Sequence, residues 1–97
     1  MTPHIGIVRL DGDDPLFFEV TIREATDATR HRVSVSQLDL VRLGKGADAE
    51  RLVRAAIRFL LDREPKESIL TRFDIMTIAR YFPEFETQLR DDPVLKG

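Results

Sequence analysis

Hydrophobic and polar residues alternate with a period of two through much of the first half of the chain, and after Ser36 the period lengthens to that of a helix. Over residues 16–24, Phe18, Val20 and Ile22 fall on one side and Glu19, Thr21 and Arg23 on the other. That is the alternation of a half-buried strand, and its β-branched content suits a pleated surface. Residues 31–36 repeat it, with Val33 and Val35 inward and Arg32, Ser34 and Ser36 outward. The polar stretch 25–30 between them reads as a hairpin loop, so the two strands pair. Residues 4–10 predict a third strand whose inward face is left open, because Ile5 and Ile7 oppose Val8 and Leu10. The turn formers of Asp11-Gly12-Asp13-Asp14-Pro15 join it to the next strand, which gives a three-stranded antiparallel meander.

Ser36 and Asp39 have the spacing of a weak capping box, opening a short helix over 37–43 that Gly44 closes. Gly44-Lys45-Gly46 is a connector, and Asp48 is a good N-cap for the strongest helix, 49–63. There Leu52, Val53, Ala56, Ile57, Phe59, Leu60 and Leu61 form a broad apolar stripe opposite Arg51, Arg54 and Arg58. Pro65 ends this helix and opens another over 65–72, with Ile69, Leu70 and Phe73 turned inward. Asp74 caps a helix over 75–82, and Pro83 starts a last one over 83–90 that carries Phe85 and Leu89. The predicted fold is α+β: one domain over residues 1–97, in which the meander packs Phe18, Val20, Ile22, Val33 and Val35 against the 49–63 helix.

Composition narrows the chemistry. A share of 42% hydrophobic and 33% charged residues in 97 is that of a globular domain able to fold without a metal or a disulfide staple. The absence of cysteine removes thiolate zinc sites, disulfides, redox pairs and thiol nucleophiles together. His4, beside a terminus expected to fray, and His31, near a turn, are the remaining nitrogen ligands, and no spacing brings them together. No metal or cofactor is expected. No basic leader precedes an apolar run, and no apolar stretch approaches the roughly 20 residues of a membrane span, so a cytoplasmic, soluble chain is expected.

Charge is uneven although the net value is -2: the segment 30–66 is basic and the segment 83–92 acidic. Arg51, Arg54 and Arg58 are the candidate anion or nucleic-acid residues, three guanidinium groups that could hold phosphates, with Arg63 and Lys66 as extensions. The competing reading is a solvated helix face neutralised by Glu50–Arg54 and Arg58–Asp62 pairs. A helix-turn-helix over 65–82 fails because its linker is tight and lacks glycine. Its second helix, moreover, offers apolar groups where base edges want donors and acceptors. Catalysis finds no nucleophile elbow, Gly-rich phosphate loop or His-Glu-x-x-His spacing, so no catalytic residue is assigned and a non-enzymatic chain is expected. Tyr81, Phe82 and Phe85 gather aromatic surface around Pro83 and are the candidate protein-interaction residues; the competing reading makes Phe82 and Phe85 core residues of two kinked helices with Tyr81 at their rim. The edges of the meander offer strand addition as a second surface.

The run Phe59-Leu60-Leu61-Asp62-Arg63-Glu64-Pro65-Lys66-Glu67-Ser68-Ile69-Leu70, continued by Arg80-Tyr81-Phe82-Pro83-Glu84-Phe85-Glu86, resembles the C-terminal half of a set of short bacterial proteins without an assigned function. The resemblance implies a bacterial cytoplasmic origin and carries no catalytic or binding assignment. The expected function is a small interaction module that binds another protein or itself. The alternative is a nucleic-acid-associated accessory factor working through the helical arginine face.

Overall fold

In the computed structural model, residues 3–44, 48–92 and 95 are described. Strands β1 (His4–Arg9), β2 (Leu16–Glu24) and β3 (Asp27–Val35) form the antiparallel meander. Helices α1 (Gln37–Gly44) and α2 (Ala49–Leu61) follow, then a 3₁₀ turn (Lys66–Ser68), strand β4 (Arg72–Asp74), and the short helices α3 (Thr77–Tyr81) and α4 (Phe85–Arg90). Strand order is β1-β2-β3-β4, and β4 lies parallel to β3. Parallel neighbours need a long crossover, which α1 and α2 supply. The Cα radius of gyration, 12.5 Å, is that of one compact unit of this length.

Register resolves the face that β1 left open. Ile5 and Ile7 pair with Ile22 and Val20, so they join the inward row, and Val8, opposite Glu19, points to solvent. Phe18, Val20, Ile22, Val33 and Val35 are buried with Leu52, Val53, Ala56 and Ile57 of α2, the sheet-on-helix core expected. Burying each of these larger side chains is worth about 1.5–3 kcal/mol. Only one face of the sheet is covered. The other carries Phe17, Glu19, Thr21 and Arg23 from β2, Arg30, Arg32 and Ser34 from β3, and Arg72 and Asp74 from β4, none of them buried.

Several boundaries differ from expectation, each for a physical reason. The hairpin loop is not 25–30: Glu24 pairs with Asp27, which leaves Ala25-Thr26 as a two-residue turn with Ala25 at φ 52°. A positive φ at the first central position matches the right-handed twist of the flanking strands. It is unusual for alanine and so gave no turn signal. The helix expected over 65–72 is a single 3₁₀ turn. Ile69 is extended at its end (φ −75°, ψ 133°), and the chain enters β4, with Arg32 N–H donating to Thr71 O at 2.7 Å. Asp74 does not cap a helix directly but ends β4. One carboxylate oxygen accepts from Ser34 Oγ at 2.7 Å and the other from Met76 N–H at 3.0 Å, so α3 begins only at Thr77. The last helix begins at Phe85, two residues after Pro83. His4 opens β1, and the terminus beside it, residues 1–2, lies outside the described residues.

The N-caps of α1 and α2 are as expected. Asp48 accepts from Arg51 N–H at 2.8 Å and opens α2, and Ser36 Oγ accepts from Asp39 N–H at 3.0 Å and opens α1. Of the Gly44-Lys45-Gly46 connector, Lys45 and Gly46 lie outside the described residues.

Candidate functional site

The segment from the 3₁₀ turn to β4 is fastened to the β2–β3 hairpin by two side chains. Lys66 is 5% exposed, and its Nζ lies 3.4 Å from Glu24, 3.4 Å from Asp27 and 2.5 Å from Glu67. The three carboxylates that cover the ammonium are themselves partly exposed, so the cluster is a shallow clasp on the surface. His31, buried in β3, donates from Nδ1 to Leu70 O at 2.8 Å. Because a carbonyl can only accept, this bond places a proton on Nδ1. Thr29 Oγ1 lies 2.8 Å from Nε2. Sequence offered Lys66 as an extension of the α2 arginine row and His31 as a nitrogen ligand; their fastening roles were not visible there, because Asp27 and Leu70 each lie 39 positions away.

The clasp has a definite pH signature. The hydrogen bond to Glu67 raises the Lys66 ammonium well above its usual value, and the same bond, foremost, lowers the Glu67 carboxyl below its usual 4.5. A raised cation stabilises the fold fully below the unfolded lysine value and loses that contribution as pH climbs through the folded one. A lowered carboxylate contributes above pH 4.5 and loses it as pH falls. Lys66→Met therefore lowers Tm at pH 7, and the gap to the parent narrows as pH drops below 4.5, a series that scanning calorimetry checks.

Held by this clasp, Ile69 and Leu70 form one wall of a groove of about 380 Å³. Its floor and sides are Leu60 from α2, Phe73 from β4, and Ile78, Tyr81 and Phe82 from α3 and its C-cap. Tyr81 is 68% and Leu70 49% exposed, and both stand at the rim, whereas the ring of Phe82 is half-buried. Glu64, Ser68 and Thr77 are the polar lining, and the half-buried Glu64 carboxylate has no hydrogen bond or ion pair among the described residues.

The aromatic candidates therefore separate. Tyr81 and Phe82 line the groove, while Phe85 is fully buried and meets Phe59 edge-on at 5.0 Å. Phe59 also meets Phe82 at 5.8 Å, and the Arg63 guanidinium lies over its ring, 3.6 Å from the centroid. Arg63 in addition donates to Phe59 O and to Glu84.

The α2 arginines are largely engaged. Arg54 donates to Ile5 O at 3.0 Å and lies 3.6 Å from Glu50, tying the helix to the β1 edge. Arg51 stands 4.0 Å from Asp48. Arg58 is exposed in a shallow depression that also contains Asp62 and Asp92, so its surroundings are of mixed sign. Arg63, folded over Phe59, and Lys66, in its clasp, do not extend the row. The sheet edges offer little to strand addition: β4 covers β3, is only three residues long, and Arg54 occupies a carbonyl of β1.

Leu38 and Val41 on α1 are exposed apolar neighbours, and Arg42, next to Val41, is bound to Glu86, to Asp39 at 3.3 Å and to Met76 Sδ at 3.0 Å. Among the described residues no group of His, Asp and Glu could hold a metal ion, and no helix is long and apolar enough to cross a membrane. Comparison with protein-family models, curated proteins and solved structures gives no match.

Proposed function

We propose that the chain is a non-enzymatic protein-interaction module whose docking surface is the groove between α2, β4 and α3. The observation that carries this reading is the Glu64 carboxylate, without a partner among the described residues, inside a mostly apolar groove rimmed by Tyr81 and Leu70. A half-buried carboxylate without a partner gains most from a cation brought to it by a ligand. The exposed tyrosine is the residue type enriched at interface hot spots, with an apolar ring and a polar tip. The occupant is accordingly a short segment of another protein that seats one bulky apolar side chain between Leu60, Ile69 and Ile78 and presents a lysine or arginine to Glu64.

Selection of random 12-residue peptides displayed on phage tests this. The parent protein is expected to enrich peptides pairing an aliphatic or aromatic anchor with a basic residue a few positions away. Selection on Glu64→Lys is expected to keep the anchor and exchange the basic residue for an acidic one. Enrichment indifferent to that substitution would overturn the assignment.

A further inference from the structure

We infer that the uncovered face of the sheet is a binding site for single-stranded nucleic acid, separate from the groove. Strand alternation and register place Arg23 on β2, Arg30 and Arg32 on β3 and Arg72 on β4 on this face, and all four are exposed. None of the four guanidinium groups makes a hydrogen bond or ion pair among the described residues. Arg32 and Arg72 are directly paired across neighbouring strands, about 4.8 Å apart in backbone, and Arg30 lies about 7 Å along β3 from Arg32. Like charges opposite one another are unfavourable in a bare sheet, and a bound phosphate removes that cost. Arg30, Arg32 and Arg72 also line one depression of about 230 Å³, with Glu19 as its sole carboxylate. The other acid of this face, Asp74, is occupied by Ser34 and Met76.

The ligand class follows from shape and from one further side chain. Four strands span about 14 Å between the outer backbones, wider than the roughly 12 Å major groove that admits a two-stranded ribbon. A duplex therefore cannot take this face into its groove, whereas a single strand can lie across it. Phe17, half-buried on the same face and diagonal to Arg32 at about 7–8 Å, offers a ring on which a base can stack while the arginines hold the phosphates.

The test is fluorescence anisotropy of a labelled 12-nucleotide single-stranded RNA, titrated with the whole chain at rising potassium chloride. The parent is expected to bind with an affinity that falls steeply with salt, the logarithmic slope losing about 0.7 for each phosphate contact removed. Arg32→Glu with Arg72→Glu should weaken binding at least about tenfold, and Arg32→Gln with Arg72→Gln, which adds no charge beside Glu19, should do so about half as strongly on the logarithmic scale. Phe17→Leu should cost about fivefold or more for RNA and nothing for inorganic polyphosphate. Arg51→Glu with Arg58→Glu, on α2, should leave binding within twofold. No salt-dependent binding, or loss only in the α2 variant, overturns the proposal. Equal binding of polyphosphate that Phe17→Leu leaves unchanged for both ligands also overturns it, in favour of a plain polyanion surface.

Discussion

Phe85→Ala is expected to lower the unfolding free energy by about 3–5 kcal/mol, a large part of the roughly 5–15 kcal/mol available to a domain of this size. Phe85 is wholly inaccessible and stands edge-on to Phe59, itself stacked beneath Arg63 and in contact with Phe82. Truncation opens a void where α4 rests on α2 and removes an aromatic contact worth about 0.5–1.5 kcal/mol beyond its buried area. The void cannot collapse easily, because Arg42 holds α4 to α1 through Glu86, and Arg63 holds Glu84 at the start of α4. Urea unfolding followed by circular dichroism should show the midpoint falling with little change in slope.

Tyr81→Ala is expected to act in the opposite way, costing a selected peptide about 2–4 kcal/mol, a thirtyfold to thousandfold loss of affinity. The unfolding free energy from urea titration should stay within about 0.5 kcal/mol of the parent. The contrast follows from position alone. Tyr81 ends α3 with its ring at the groove rim and has no ring partner among the described residues, whereas four residues later Phe85 is buried in the core. Isothermal titration of the peptide selected on the parent, run beside the unfolding curves, reads both quantities.

That separation shows what the sequence made legible. Aromatic clustering around Pro83 marked a region, but which rings face outward depends on where α3 starts. That start is set by Asp74, bound to Ser34 across the sheet, and not by any local helix signal. Strand β2 and helix α2 were readable because their periodicities run over nine or more residues and the cap of α2 is local. Strand β4 was not. Three residues are too few to display alternation, and their hydrogen bonds go to a strand forty positions earlier. With β4 missing, Arg72 could not be placed beside Arg32, and the groove wall of Ile69, Leu70 and Phe73 looked like one side of a helix.

The arginines show the same limit from the other side. On α2 they repeat at helical spacing and so drew notice, yet Arg54 serves the β1 edge and Arg51 its own N-cap. Of the four guanidinium groups on the open sheet face, alternation had assigned Arg23 and Arg32 to solvent, whereas Arg30 was read in a hairpin loop and Arg72 in a helix. Only the assembled sheet brings them side by side.

The account rests on the groove between α2, β4 and α3 being the docking surface, and methyl NMR of the whole chain titrated with the selected peptide tests it most directly. The largest shifts are expected at Leu60, Ile69, Leu70 and Ile78, with those of Leu38, Val41 and Val8 unmoved. Shifts concentrated on Leu38 and Val41 of α1, with the groove methyls silent, would contradict it.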